Sequence, residues 1–132
     1  MSGLIGFSNP QVVINNVVWS ILPNSFKFTD GKGDIKVRAL AAGGNSVVTI
    51  HTQDKATQVG KVEFEVAVTA ANRVAASALK DNIGGNVIQA TQVGISTPII
   101  FQNCSMVNDP QWEATADGKA KLEFQGDPAI GV

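Results

Sequence analysis

The chain has 132 residues, of which 44% are hydrophobic, 16% charged and 6% aromatic. This composition excludes a disordered tail and predicts a single domain over residues 1–132. Ten Lys and Arg against eleven Asp and Glu give a net charge of -1, which argues against specific nucleic-acid binding. One Cys and one His exclude an internal disulfide and a zinc site built from Cys and His alone, so we expect no metal and no cofactor.

The sequence also lacks membrane signals. No run approaches the roughly 20 apolar residues that cross a bilayer. Residues 1–4 lack the basic start of a signal peptide. We therefore expect a chain that is made in the cytoplasm and has no membrane partner.

The first part of the chain predicts an arm, a strand and a hairpin. Residues 1–10 are expected to form the arm. The run QVVINNVVW, Gln11 to Trp19, is rich in β-branched residues and predicts one strand with apolar groups on both faces. Alternation over Ser25 to Thr29, followed by the turn signal DGKG, predicts a hairpin with the strand that begins at Asp34.

A second hairpin and an amphipathic strand follow. The runs DIKVRALA and SVVTIHTQ flank Gly43 and Gly44 and predict the hairpin. The polar segment 54–60 predicts an inter-strand loop. In KVEFEVAVT, Lys61 to Thr69, apolar and polar residues alternate strictly, which predicts an amphipathic strand with a solvated face.

The rest of the chain predicts one helix and three more strands. Helical periodicity over 70–81, with Thr69 as N-cap, predicts the helix. Its expected buried face comprises Ala71, Val74, Ala75, Ala78 and Leu79. The further strands are predicted at Asn86 to Val93, Ile99 to Asn103 and Lys119 to Gln125. The elements together predict a mainly β fold, an antiparallel β-sandwich or barrel with one flanking α-helix.

Few side chains offer catalytic chemistry. A nucleophilic pair of His51 and Cys104 would need contact and a third orienting group, and no local motif supports it. We interpret Cys104 as a buried structural thiol and His51 as a surface residue. We expect no enzyme activity and no catalytic residues.

Other candidate groups also have simpler interpretations. Glu63 and Glu65 could form a carboxylate pair, as could Glu113, Asp117 and Glu123 near the last strand, but amphipathic strands and turns carry such residues routinely. The glycines Gly31, Gly33, Gly43 and Gly44 precede no helix that would complete a phosphate site and are interpreted as turn glycines. Trp19 and Trp112 are interpreted as core or interface anchors.

The order of several segments carries a resemblance. VVINNVVW, LPNSFKF, GKGDIKVRALAAGGNSVVTIHTQD, GKVEFEVAVT before the helix and the closing KLEFQGDP together resemble the tail tube protein of contractile-tailed bacteriophages. The likeness covers Gln11 to Asp127 and lies in the ordered ensemble of segments.

The resemblance implies an assembly. Six copies would form a ring, and stacked rings would form a hollow tube inside a contractile sheath, the conduit for genome ejection in the virion. Tape measure, baseplate and tail terminator proteins would be further partners, and DNA would pass through an acidic or neutral lumen without specific binding. Tubes of contractile bacteriocins and type VI-like secretion systems look similar, and a small β-rich adaptor domain is the alternative from another class.

We place site residues on this tube as predictions. Glu63 and Glu65 are predicted to face the lumen, where their negative charge would repel DNA. The arm and the loop 54–60 are predicted to make contacts between rings. The residues predicted there are Phe7, Asn9, Asp54, Lys55 and Gln58.

Overall fold

The structure is a computed structural model that describes residues 10–41, 43–92 and 95–131. Within these ranges the chain forms nine strands, one α-helix and one short 3₁₀-helix. In chain order they are β1 (Gln11–Ile14), β2 (Val17–Trp19), β3 (Lys27–Thr29), β4 (Asp34–Ala41), β5 (Val47–Asp54), the 3₁₀-helix (Lys55–Thr57), β6 (Gly60–Ala67), α1 (Ala70–Asp81), β7 (Asn86–Gln92), β8 (Ile95–Met106) and β9 (Lys119–Gly126).

Seven strands form one antiparallel sheet in the order β2-β1-β7-β8-β9-β6-β3. The long strand β8 belongs to both halves, because Ile99 and Phe101 pair with β7 whereas Ser105 and Met106 pair with β9. Asn103, between them, has a φ of 53°, which lies outside the range of regular strands. The predicted fold class, mainly antiparallel β with one helix, is confirmed.

The two halves of the sheet enclose one hydrophobic core. Alternate residues point inward, as the strand period requires, so that Val62, Phe64 and Val66 of β6 are buried. Phe64 stacks on Phe124 of β9 with ring centroids 5.9 Å apart. Phe101 of β8 is also fully buried, so aromatic rings from three strands fill the centre of the core.

The run from Gln11 to Trp19 is a hairpin, and the prediction of a single strand is wrong. Asn15 and Asn16 have φ values of 51° and 67°, the left-handed values that a two-residue type I′ turn needs. Asn adopts them more readily than other non-glycine residues. Val12 therefore pairs with Trp19 on the adjacent strand, and the apolar residues of this run are divided between two strands.

The predicted hairpin between Ser25–Thr29 and the strand at Asp34 does not form either. β3 pairs with β6, with Phe28 opposite Val62, and β4 pairs with β5 alone. Gly31 has a φ of 87°, and a Cβ there would lie 2.7 Å from the backbone nitrogen of Gly60. The turn is thus held against the start of β6, which directs β4 away from β3.

The helix α1 begins at its predicted cap. Thr69 Oγ1 accepts a hydrogen bond from Asn72 N at 3.1 Å. The buried apolar residues of the helix are Ala76 and Leu79, so the predicted buried face is wrong except for Leu79. Val74 is 73% exposed, because the side of the helix that carries Ala76 and Leu79 is the buried one.

A buried asparagine joins the end of α1 to the β1–β2 turn. Asn86 is fully buried, and its Nδ2 donates to the carbonyl oxygens of Leu79 and Asn82 at 3.0 and 3.1 Å. Its Oδ1 accepts from Asn15 Nδ2 and Asn82 Nδ2 at 3.0 and 3.1 Å. The side chain uses both of its donors and accepts twice, so this buried amide is fully hydrogen-bonded.

Candidate assembly surface

The strands β4 and β5 form a two-stranded ribbon that stands apart from the seven-stranded sheet. We call Asp34–Ala41 together with Val47–Asp54 the ribbon. Its eight pairs run from Asp34 opposite Asp54 to Ala41 opposite Val47. Every residue of the ribbon is exposed except Asp54, which is half-buried. The ribbon therefore has almost no packing against the body of the chain.

Both faces of the ribbon carry exposed apolar side chains. Residues directly opposite in an antiparallel pair lie on the same face, and neighbours along a strand lie on opposite faces. One face carries Ile35, Val37 and Val47, and the other carries Leu40, Val48 and Ile50. These six side chains are between 37% and 67% exposed. The second face also carries the charged residues Asp34, Lys36 and Arg38. A solvated ribbon would keep large apolar side chains off at least one face, so the apolar part of each face has the character of a surface that another structure covers.

Polar contacts hold the base of the ribbon to the loops below it. Asp34 N donates to Thr57 Oγ1 at 2.6 Å, and Gln58 Nε2 donates to Lys32 O at 3.3 Å. Gln53 Nε2 also donates to Lys32 O. These bonds fix where the ribbon leaves the body and leave its apolar half free of intramolecular packing.

The predicted inter-ring residues divide into two groups. Phe7 and Asn9 lie outside the described residues. Asp54, Lys55 and Gln58 lie at the base of the ribbon, where Asp54 forms an ion pair with Lys36 at 3.3 Å and caps the 3₁₀-helix through Ala56 N at 3.1 Å. These contacts are all within one chain, so the role of these residues in contacts between rings stays a prediction.

The ribbon itself is the feature that the sequence prediction missed as a site. The hairpin was predicted, but the apolar character of its two faces was not connected to assembly. The available signal was the consecutive pair Val47 and Val48, which breaks apolar-polar alternation and places apolar groups on both faces of β5.

Glu63 and Glu65 lie on the outer face of β6 beside lysines. Lys121 Nζ lies 2.8 Å from Glu63 Oε2, and Lys119 Nζ lies 3.3 Å from Glu65 Oε2. The two glutamates are half-buried and ion-paired, so lysines compensate the negative charge that the sequence places on this face. Whether the face lines a lumen stays a prediction.

The ion pair with Lys121 sets the titration of Glu63. A hydrogen bond from Lys121, opposed by burial, lowers the pKa of Glu63 from its ordinary value of 4.5. The stabilisation from this pair is therefore present at neutral pH and is lost as the pH falls through the lowered pKa. We expect Lys121→Met to raise the pKa of Glu63, because Glu123 directly opposite would then repel the carboxylate.

Side-chain NMR titration of the wild type and of Lys121→Met measures this change in the pKa of Glu63. Lys36→Met, which removes a lysine from a different ion pair, is the control and should leave the pKa of Glu63 where it is. An unchanged Glu63 pKa in Lys121→Met would contradict the assignment of the pair.

His51 and Cys104 have different surroundings. His51 is exposed on the ribbon, whereas Cys104 is buried in the core and donates to Gln102 O at 3.6 Å. Burial, with a smaller contribution from Asp127, raises the pKa of the Cys104 thiol to about 11. These environments favour a structural thiol, because a nucleophilic thiol needs a lowered pKa and a partner base.

We expect native Cys104 to react slowly with iodoacetamide at neutral pH and rapidly after denaturation. The thiolate is the reacting form, and burial both suppresses it and blocks access. Because the pKa of this thiol is higher in the folded chain than in the unfolded one, the stability that the neutral buried thiol contributes is lost as the pH rises from 9 toward 11. Mass spectrometry of timed samples measures the labelling. Equal rates for native and unfolded protein would contradict a buried thiol.

The remaining candidate groups take structural positions. Gly31, Gly33, Gly43 and Gly44 all have positive φ, as their interpretation as turn glycines requires. Trp19 is buried in the core, and Trp112 is half-buried against it. Glu123 lies opposite Glu63, whereas Glu113 and Asp117 are exposed in the segment before β9.

The described residues offer neither a metal-binding cluster nor a helix that could span a membrane. No group of three or more His, Cys, Asp or Glu side chains is arranged to hold a metal ion in residues 10–41, 43–92 and 95–131. In the same part of the chain, no helix has the length and apolar character to cross a bilayer.

Comparison with known proteins adds a structural likeness. No protein-family model matches the sequence, and no curated protein is significantly similar to it. Among solved structures, the fold is similar to that of the anti-feeding prophage cap, which terminates the tube of that particle, with a TM-score of 0.56. The likeness covers 98% of this chain and 93% of the cap chain at 8% sequence identity. It shows that the two chains share a fold.

Proposed function

We propose that this chain is a structural subunit of a phage-type tail tube. Six copies form a ring, and stacked rings form a hollow tube inside a contractile sheath through which the genome is ejected. The observation that carries the proposal is the ribbon, whose two faces expose six large apolar side chains. An isolated two-stranded ribbon is marginally stable in water, so this one gains its stability from contact with other copies.

The ribbon favours an assembly larger than a dimer. A two-fold contact is isologous, so the same patch of each copy is buried against its counterpart. A ribbon covered on both faces touches two different surfaces, which is a heterologous arrangement. Such arrangements close into rings or continue as filaments, and a stacked tube combines both.

The comparison supports the same proposal from the fold. The similar structure is a protein that terminates the tube of a prophage particle, and it covers nearly the whole of this chain. The resemblance of the sequence to tail tube proteins points to the same kind of particle. The partners that follow are further copies of this chain, the sheath, the tape measure protein, and the baseplate and terminator proteins. We propose no enzymatic role, and we place the chain in the virion.

The likeness to a cap supports a second candidate. The chain would then form one terminal ring that closes a tube built from other subunits. A tube of a contractile bacteriocin or of a type VI-like secretion system is a variant of the first proposal without a genome. A small adaptor domain would not need an apolar ribbon with two exposed faces.

Negative-stain electron microscopy of the purified full chain over a range of concentrations tests the proposal. Tubes support a tube subunit, and single rings that never elongate support a terminal cap. A monomer at every concentration, also in the presence of sheath and tape measure proteins, would overturn both.

A further inference from the structure

The charged residues of the chain are confined to one part of the fold. Every Asp, Glu, Lys and Arg lies in residues 27–81 or 109–127, so residues 1–26 and 82–108 carry none. These uncharged ranges contain the strands β1, β2, β7 and β8, which lie side by side in the seven-stranded sheet. This part of the sheet therefore has no charged side chain on either of its faces.

The outer face of the uncharged strands is open to solvent. Val12 and Ile88 point into the core, so the residues next to them in each strand point outward. We call the outward set the neutral face, which consists of Gln11, Val13, Val18, Val87, Gln89 and Thr91. Val18 is 59% exposed and Val87 is 41% exposed. A depression of about 300 Å³, lined in part by Val13 and Val87, gives this face room for side chains of another structure.

A solvated sheet face and an exposed sheet edge normally carry charge. The outer face of β6 and β9 in the same sheet does, and its glutamates are paired with lysines. Within the described residues β2 is an end strand of the sheet, and charged side chains, lysine above all, are the usual protection of such an edge. The neutral face lacks this protection. Exposed valines without neighbouring charges are typical of the centre of a protein–protein contact.

One face of the ribbon matches the neutral face in its lack of charge. The face with Ile35, Val37 and Val47 has alanine, threonine, glutamine and the single histidine at its other positions, and no Asp, Glu, Lys or Arg. We call it the Val37 face. The helix α1 exposes Arg73 and Lys80, and β6 and β9 expose lysines and glutamates. The Val37 face on either of those surfaces would take charges out of water without partners, which is costly.

We propose that the Val37 face of the ribbon packs on the neutral face of a second copy of this chain. The inference rests on the proposed function and deepens it, because it names the surface that receives the ribbon. Sheet faces that pack in this way lie about 10 Å apart and interdigitate their side chains. The two faces are different patches, so each copy inserts one ribbon and receives one. The contact is heterologous and joins copies head to tail, as a ring requires.

Cross-linking tests this contact directly. The variant Val37→Cys/Val18→Cys places one thiol on each of the two faces, and a short bifunctional maleimide joins thiols that lie close together. The controls Val37→Cys/Val74→Cys and Val18→Cys/Val74→Cys keep one of these thiols and move the other to Val74, which is 73% exposed on α1. The native Cys104 is buried, so it reacts slowly in all three variants.

We expect the test variant to give covalent dimers, trimers and larger species on denaturing gels. Their yield should be at least about tenfold that of either control, because docking holds the two thiols at a high effective concentration. Equal yields in the test variant and the controls would overturn the proposed contact. Covalent dimers that never become larger would overturn it too, because they indicate a two-fold contact.

A charge on the neutral face gives an independent measurement. Val18→Lys should weaken association in sedimentation velocity at least about tenfold, because the ammonium would be buried against the Val37 face of the next copy. Val74→Lys is the control and should associate as the wild type does. Unchanged association of Val18→Lys would overturn the inference.

Failure of this inference and failure of the proposed function are distinguishable by electron microscopy of the same samples. Rings or tubes without cross-links in the test variant overturn the contact and leave the proposed function standing. Covalent multimers without rings or tubes overturn the proposed function and leave the contact standing. A monomer under every condition overturns both.

Discussion

Substitution of either face of the ribbon by lysine abolishes assembly at concentrations where the wild type assembles, and leaves the monomer folded. The variants are Val37→Lys on one face and Ile50→Lys on the other. Burying a valine or isoleucine stabilises a contact by about 1.5–3 kcal/mol, and burying an unpaired charge in its place costs more. A loss of about 3 kcal/mol at each contact corresponds to a more than hundredfold weaker association.

Sedimentation velocity measures the association, and thermal unfolding checks the fold. The melting temperature of the dilute monomer should stay close to that of the wild type, because neither side chain contacts the core. Val74→Lys is the matched control, since Val74 is the same residue type as Val37 and is 73% exposed on α1. If one ribbon variant assembles normally, that face of the ribbon is not covered, and the argument for two neighbours is wrong.

Loss of the Asn86 side chain is expected to be the most damaging single polar change. Asn86→Ala leaves the carbonyl oxygens of Leu79 and Asn82 without the donors that the Asn86 amide supplies. It also leaves the side-chain amides of Asn15 and Asn82 without their acceptor, at a position that is fully buried. Buried groups left without partners cost about 1–3 kcal/mol each, and some of these will find water, so we expect a loss of about 3 kcal/mol in the free energy of unfolding. For a chain of this size the melting temperature falls by about 10 °C.

Asn86→Asp separates hydrogen bonding from volume. The side chain keeps its shape but presents an acceptor to two carbonyl oxygens, so this variant should be at least as unstable as Asn86→Ala at neutral pH. It should recover in part at low pH, where the carboxyl becomes a donor. Asn72→Ala is the control, because its amide makes one exposed bond to Ala67 O. Urea unfolding measures all three, and equal losses for positions 72 and 86 would contradict a special role for the buried amide.

Local sequence patterns predict many of the strands and the helix, but they do not predict which strands pair with one another. The strict alternation in β6 and the Thr69 cap of α1 are local signals, and both elements form where the sequence predicts them. The partner of β3 depends on the close approach of Gly31 to Gly60, a contact between residues far apart in the chain. No turn motif encodes such a contact.

Two local errors have physical causes of their own. The pair Asn15-Asn16 forms a type I′ turn, for which Asn-Gly is the stronger sequence signal. Because the pair is flanked by β-branched residues, the sequence instead predicts one continuous strand. The many alanines of α1 make several faces of the helix weakly apolar, so periodicity alone does not identify the buried face. The position of β8, against which the helix packs, determines it. Tertiary context decides in both places.

The candidate site was predictable in its parts. The hairpin that forms the ribbon and the carboxylates on β6 were predicted, but the lysines that neutralise those carboxylates come from β9, more than fifty residues later. Their diagonal pairing depends on a register that alternation alone does not give. The apolar groups on both ribbon faces were visible in the sequence, and their exposure required the structure.

Hydrogen exchange of the ribbon amides, compared between dilute monomer and concentrated assembly, tests the central claim most directly. The account predicts that amides of β4 and β5 exchange rapidly in the monomer and become protected on assembly, while those of the buried strand β6 are protected in both states. Ribbon amides that exchange equally fast in the assembly would contradict the claim that other copies cover this ribbon.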